Sequence, residues 1–188
     1  MTNNRIIVIG AGAGGLMAAG RAAESGGDVL LLEKTDRPGK KILISGKSRC
    51  NLSNSAELEN FIAMFGKNGR FLYSAFNQYF RNDLLALLKG HGVETKTERG
   101  GRIFPASNDA LDVVKALQRY PADHGVQILT GQRVTNILVE KGRVTGAQTM
   151  SEIHPAAAVI LAAGGASFPD TGSTGDGCRL AESAGHTI

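Results

Sequence analysis

Arg5-Ile6-Ile7-Val8-Ile9-Gly10-Ala11-Gly12-Ala13-Gly14-Gly15 runs into the alanine-rich Leu16–Ser25 and then into Asp28-Val29-Leu30-Leu31-Leu32-Glu33. The short apolar run Arg5–Ile9 reads as a buried strand, Leu16–Ser25 as a helix stopped by Gly26-Gly27, and Asp28–Glu33 as a second buried strand. Strand, tight turn, helix and strand within about 30 residues form one βαβ unit. The turn matches G-x-G-x-x-G in the context that gives this string meaning. It follows a strand, opens a helix, and has the acidic Glu33 eighteen positions beyond Gly15. Gly10 permits the tight turn, Gly12 lets backbone approach a pyrophosphate, and Gly15 lets the helix pack closely on the strand. The helix N-terminus offers unpaired N–H groups and a partial positive charge to a diphosphate. Glu33 is placed to accept hydrogen bonds from ribose hydroxyls. A 2′-phosphate there would face a carboxylate, which disfavours NADP.

Outward from this unit the glycines remain the guide. There are 25 in 188 residues, and a second cluster, Gly164, Gly165, Gly172, Gly175 and Gly177, follows the apolar strand Ala157–Ala162. Asp176–Ala184 reads as a last helix closed by Gly185. Val126–Leu129, Arg133–Glu140 and Arg143–Thr149 read as strands, the last two joined by a turn at Lys141-Gly142. Val93–Glu98 is expected to pair with Arg102–Phe104 across Arg99-Gly100-Gly101. Asn108–Arg119 is expected to be a helix capped by Ser107 or Asn108 and stopped by Pro121. Residues 57–91 form a helical excursion holding most of the aromatics, among them Phe61, Phe65, Phe76 and Phe80. A packed core face is the favoured reading of that stretch over a substrate-pocket wall. The expected architecture is α/β: a Rossmann-like parallel sheet, a small antiparallel β unit and the helical excursion.

Ala19, Ala22, Gly26, Val29 and Glu33 sit where two-dinucleotide-type flavoproteins place small, glycine, apolar and acidic residues, and Glu33-Lys34 followed by Gly39 resembles their extension of the motif. A more specific signature begins at Lys40-Lys41-Ile42-Leu43-Ile44-Ser45-Gly46-Lys47-Ser48-Arg49-Cys50-Asn51-Leu52-Ser53-Asn54. It resembles the BaiN/YhiN-like (aminoacetone-oxidase-type) bacterial flavoproteins, which are FAD-dependent oxidoreductases. Gly101–Ser107, Ala158–Gly165 and Gly172–Gly177 resemble further segments of that family, in the same order along the chain. The resemblance implies an FAD site. The turn from Ala13 to Gly15 would meet the pyrophosphate and Glu33 the adenosine ribose. Lys40, Lys41 and the segment from Gly46 to Asn51 would lie along the phosphates and flavin. Val134 would touch adenine through its backbone, and Ala163-Gly164 would close over the nucleotide. Departures are Lys47-Ser48 where the family has two glycines, Ala163 where it has threonine, and a Tyr120-Pro121 interruption. Family members run to about two domains, so this chain is expected to be an N-terminal portion. A non-catalytic dinucleotide-binding remnant is the alternative reading.

Composition narrows the rest. Hydrophobic residues make up 42% and charged residues 20%, which excludes a disordered chain. The net charge of +4 comes without a block of like charge, so nucleic acid is not an expected partner, although a tRNA-modifying flavoprotein is the reading a basic balance would suggest. The uncharged stretch Ile6–Gly20 is shorter than the ~18 apolar residues of a membrane span; no membrane partner and a cytoplasmic location are expected. Cys50 and Cys178 exclude a disulfide scaffold. Cys50 beside Arg49 is either a reactive thiol or a packed structural cysteine, the second being favoured. Asp176 is either a cofactor contact or an N-cap. Lys34 and Arg37 read as solvated, and the four histidines show no metal spacing. The partners expected are FAD and a small-molecule substrate of unknown identity. Flavin chemistry asks side chains mainly for orientation, so no catalytic base is named.

Overall fold

The computed structural model describes residues 4–188. In chain order its first elements are β1 (Arg5–Ile9), α1 (Ala13–Glu24), β2 (Asp28–Leu32), α2 (Lys40–Ile44), β3 (Ser53–Asn54), α3 (Leu58–Ala63), α4 (Tyr73–Gln78) and α5 (Arg81–Gly90). Then come β4 (Thr95–Thr97), β5 (Arg102–Pro105), α6 (Ala110–Asp123), β6 (Gln127–Leu129), β7 (Val134–Glu140), β8 (Arg143–Thr149), β9 (Ile153–Pro155), β10 (Ala158–Leu161) and α7 (Asp176–Ser183). They fall into two compact units, one running to Ile42 and resuming over Leu117–Ile188, the other Leu43–Ala116.

The first unit is built on a parallel sheet of order β10-β1-β2-β6. Parallel strands are covered on both faces, which is why β1 and β2 read as unbroken apolar runs. Ile7, Ile9, Leu30 and Leu32 point to one face and join Val134, Ala147, Ala156 and Leu180 in a single cluster. That places the antiparallel sheet β7-β8-β9 and α7 against this face. Val8 and Leu31, fully buried, point the other way, where α1 packs through Leu16, Ala19 and Gly20. Helix α1 begins at Ala13, three residues before the expected Leu16, because Gly12 takes an extended conformation and serves as its N-cap.

Lys141 and Gly142 both have positive φ, 50° and 76°, which is the twist a two-residue hairpin needs. The edge strand β9 was not visible in the sequence: it has three residues, and Pro155 ends it. Helix α6 corrects two expectations. It is not stopped by Pro121 but runs through it to Asp123. The proline falls in the final turn, where the closing bonds are His124 N–H to the Pro121 carbonyl (3.1 Å) and Gly125 N–H to that of Ala122 (2.9 Å). Its cap is neither Ser107 nor Asn108 but Asp109, whose carboxylate accepts from Leu111 N–H at 2.8 Å. Asn108 is committed to the left-handed region, φ 60°.

In the second unit β4 and β5 pair antiparallel as expected, with the two-residue β3 added on the far side of β5. The helical excursion is α3, a 3₁₀ segment over Gly66–Leu72, α4 and α5. Phe61, Phe65, Phe76 and Phe80 form one aromatic cluster, with centroid separations of 5.2–6.4 Å. The core-face reading holds for this stretch only in part: Phe65 is half exposed, and Phe71, outside the cluster, is 89% exposed. Ahead of β3, Lys47, Ser48 and Cys50 have φ of 58°, 63° and 59°. Lys47 and Ser48, which stand where the resembled family has glycines, therefore lie in the left-handed region that favours glycine.

Two stability measurements follow from this packing. A Cβ on Gly20 would overlap the Cδ1 and Cε1 atoms of Tyr120, whose ring is 6% exposed and whose hydroxyl donates to Glu24 at 2.8 Å. Helix propensity favours Gly20→Ala by about 1 kcal/mol, but overpacking costs about 1–3 kcal/mol and wins. Urea denaturation should show a net loss, partly recovered by adding Tyr120→Leu. In the second unit, left-handed backbone costs a side-chain-bearing residue about 1–2 kcal/mol, and glycine's extra unfolded-state entropy returns about 0.5–1 kcal/mol of that. Lys47→Gly and Ser48→Gly should each raise the denaturation midpoint; a fall at both would remove the strain.

Candidate functional site

The carboxyl ends of the four parallel strands are Ile9, Leu32, Leu129 and Leu161, and the loops leaving them are tied together by backbone. Gly10 N–H donates to the Leu32 carbonyl (2.7 Å), Glu33 N–H to that of Leu129 (2.8 Å), and Ala162 N–H to that of Ile9 (2.8 Å). From β1 the chain winds to β2 and β6 on one side, and it returns to β10 on the other. The order reverses between β1 and β10, and a crevice at such a switch point is where open α/β sheets bind ligands. Gly10 (φ +99°) sits there, and a Cβ on it would lie 2.7 Å from the Ala162 carbonyl oxygen and 2.9 Å from the Ala163 Cα.

The glycines of the turn divide by role. A Cβ on Gly15 would overlap the Gly10 carbonyl oxygen, so that glycine is required by the close approach of α1 to β1. Cβ atoms on Gly12 and Gly14 would meet nothing within 4 Å. These two glycines border open space in front of the helix. No side chain caps α1, its first turn holds no acidic residue, and its first internal bond is Leu16 N–H to the Gly12 carbonyl at 3.0 Å. The N–H groups of Ala13, Gly14 and Gly15 precede that bond and face the space. A diphosphate fits such a cradle: donors, a partial positive charge and no obstructing Cβ.

Glu33 is 9% exposed, and its carboxylate already binds the turn. Oε2 accepts from Ala11 N–H at 2.7 Å and Oε1 from Thr35 N–H at 2.8 Å. Each oxygen has a second lone pair, so the same carboxylate that holds the loop has acceptor capacity for a ribose. Lys40, at the start of α2, pairs with Asp36 at 2.6 Å and is 29% exposed. Lys41 places its ammonium 5.4 Å from the Phe168 ring centroid. Val134 opens β7, its side chain in the core cluster. Ala163 and Gly164 leave β10 beneath the 172–177 loop: a Cβ on Gly164 would lie 3.0 Å from Ser173 Oγ, and one on Gly177 would lie 3.5 Å from Ala163 Cβ. Gly10 to Gly15, Glu33, Lys40, Lys41, Val134, Ala163 and Gly164 thus belong to one unit. Gly46 and Asn51 belong to the other. There a Cβ on Gly46 would lie 2.7 Å from Asn51 N and 3.2 Å from the Phe104 ring. With its amide nitrogen turned inward, Asn51 donates to the carbonyls of Ser53 (3.0 Å) and Ile103 (3.2 Å).

Two readings of single residues change. Lys34 is not a solvated cation: its ammonium donates to Asp176 Oδ2 at 2.9 Å and to Thr174 Oγ1 at 2.6 Å. Asp176 is not the N-cap of α7, which is Gly175, but its first residue, 8% exposed. Arg133 and Arg179 reach its Oδ1 at 3.1 and 2.6 Å. Nothing local in the sequence joins Lys34 to a residue 142 positions away. Cys50 is buried, and desolvation pushes its thiol up rather than down, so it is a packed cysteine. Its neighbour Arg49 is taken up by Glu98 (2.9 Å) and by the Phe104 ring (4.1 Å). Among the described residues no three His, Cys, Asp or Glu side chains are grouped to hold a metal ion, and no helix is long and apolar enough to cross a membrane.

Burial alone would raise the Asp176 carboxyl, but the bonds from Lys34, Arg133 and Arg179 outweigh it and hold the group well below the ordinary carboxylate range. A carboxylate lowered on folding stabilises above its unfolded value of about 4, and that contribution is lost as pH falls towards the lowered native value. Denaturation midpoints should therefore drop below about pH 4, and Asp176→Asn should flatten the drop.

Similarity to known proteins agrees with this geometry. A 3-dehydro-bile acid delta(4,6)-reductase of Clostridium scindens is 40% identical over 188 residues, covering 98% of this chain and 45% of that protein. A ribosomal RNA dihydrouridine synthase of Haemophilus influenzae is 32% identical over 184 residues, covering 95% of this chain and 45% of that protein. The chain spans less than half the length of these two curated relatives. Among solved structures, a flavocytochrome c3 fumarate reductase superposes with a TM-score of 0.74 at 22% identity, covering 98% of this chain and 41% of that one. A 3-ketosteroid-delta4-(5alpha)-dehydrogenase of Rhodococcus jostii superposes at 0.66 and 17% identity, covering 98% and 55%. Both likenesses are of fold. The family model of the HI0933-like protein Rossmann domain matches residues 4–188, and the chain belongs to that family of FAD-binding Rossmann domains.

Proposed function

We propose that this chain is the FAD-holding part of an oxidoreductase that acts on a small organic molecule. The observation that carries the reading is the open, uncapped start of α1 at the β1/β10 switch point, with Glu33 built into its floor. The N–H groups of Ala13 to Gly15 hold the pyrophosphate. Glu33 accepts from the adenosine ribose while keeping its bonds to Ala11 and Thr35. The backbone of Val134 meets adenine, Lys40 and Lys41 add positive charge along the phosphates, and Ala163-Gly164 close the other wall. When bound, FAD supplies the electron-accepting and electron-donating ring, and the protein supplies orientation and exclusion of water.

The substrate class rests on relatives. The relative at 40% identity is named as a reductase of 3-dehydro-bile acids, and the one at 32% for an RNA. The higher identity favours the small molecule.

Equilibrium dialysis of the chain should show FAD bound more tightly than NAD or NADP. Tighter NAD would replace the flavin reading with a nicotinamide one. Gly12→Ala tests the cradle directly. Its Cβ meets nothing in the protein, so stability should stay within about 0.5 kcal/mol, while FAD affinity should fall about ten-fold or more, the loss of one or two good hydrogen bonds. Unchanged affinity would place the pyrophosphate elsewhere.

A further inference from the structure

We propose that Asp176 is a positioning residue for the adenosine end of the cofactor: its buried carboxylate gathers Lys34 and Arg133 and so holds Glu33 and Val134 at their working separation. The proposal rests on the FAD reading and adds to it a residue that acts through Lys34 and Arg133. Asp176 is the first residue of α7, yet its carboxylate serves two other loops. Lys34 follows Glu33 directly at the end of β2, and Arg133 directly precedes Val134 at the start of β7. The ammonium of Lys34 reaches Oδ2 at 2.9 Å, and the Arg133 guanidinium reaches Oδ1 at 3.1 Å. One carboxylate therefore spans the two residues assigned to ribose and to adenine.

The neighbouring backbone makes the same connection. Gln132 N–H donates to the Glu33 carbonyl at 2.8 Å, and Gly131 N–H to that of Thr35 at 2.9 Å. A Cβ on Gly172 would lie 3.1 Å from Thr35 Cγ2 and 3.4 Å from Lys34 Cε, so the loop carrying Thr174 and Asp176 is packed on the β2 end and not merely charged towards it. Thr174 Oγ1 takes the second bond of the Lys34 ammonium at 2.6 Å. With these partners Lys34 is drawn off Glu33, whose carboxylate stays available to amides and to a ribose. Loss of Asp176 would leave the ammonium with Thr174 alone and release Arg133, which is half exposed and makes no other side-chain bond among the described residues. Charge-assisted bonds to a carboxylate that is 10% exposed are strong enough to fix such loops.

The test compares the unsubstituted 188-residue chain with Asp176→Asn, Lys34→Met, the double variant, Lys34→Arg, and Arg133→Gln as a variant at a half-exposed position. FAD and ADP affinities are read by titration, and amide exchange at Ala11 and Thr35 is read without cofactor. Asp176→Asn and Lys34→Met should each weaken both ligands about ten-fold and speed exchange at both amides. The double variant should be no weaker than the worse single one, since both break the same link. Lys34→Arg should restore most of the affinity, which a general loss of stability would not allow. Wild-type ADP affinity and exchange in both Asp176→Asn and Arg133→Gln, or additive losses in the double variant, would overturn the proposal while leaving FAD binding in place. Failure of the unsubstituted chain to bind either FAD or ADP would overturn the cofactor reading and this one with it.

Discussion

The structure depends on how closely three pieces of backbone approach one another at the end of β1. Gly15 lies against the Gly10 carbonyl, and Gly10 lies against Ala162 and Ala163. A single Cβ at Gly15 or Gly10 would push α1 or β10 away from β1. With them apart, the sheet order β10-β1-β2-β6 would lose its switch point, and the open space before α1 would lose its walls. The excess of glycine in this chain is thus not a sign of flexibility. At these positions it is the condition for contact.

Contact alone does not hold loops that have few apolar atoms. Two buried carboxylates do that work in the first unit. Glu33 accepts two backbone amides and so stiffens the turn ahead of α1. Asp176 accepts from three cations on separate segments and so joins the β2 end, the β7 start and α7. Burying a carboxylate is costly unless it is hydrogen-bonded, and every oxygen of both accepts at least one bond. The turn and its floor are consequently shaped before any ligand arrives, which is the condition for affinity without an ordering penalty.

The second unit follows another logic. Its four-ring cluster and the small sheet β3-β5-β4 form a separate packing group. Gly46 is needed there by the closeness of Asn51 and Phe104, whether or not a flavin lies nearby. Lys47 and Ser48 keep a left-handed backbone that their side chains do not favour. The geometry of that loop is imposed by its surroundings, and its two non-glycine residues accept the cost.

The local sequence encodes the βαβ unit with its parallel β1–β2 pair, the hairpins and the glycine turn ahead of α1, because each lies within a few dozen neighbouring residues. An apolar run, a glycine spacing and an acidic residue at the end of the next strand are local signals. It misjudged Pro121, because proline forfeits only its own bond to the Leu117 carbonyl, and the final turn still closes on the Pro121 and Ala122 carbonyls. It also misjudged the cap, where Asp109 rather than its two neighbours faces the free amide. Tertiary structure alone decided which charges are solvated. Lys34 and Arg37 look alike in the sequence, yet Arg37 stays 64% exposed while Lys34 is drawn to Asp176 across 142 positions. That choice depends on the β10–α7 loop packing on the end of β2, and a contact between segments so far apart leaves no trace in the local pattern of either.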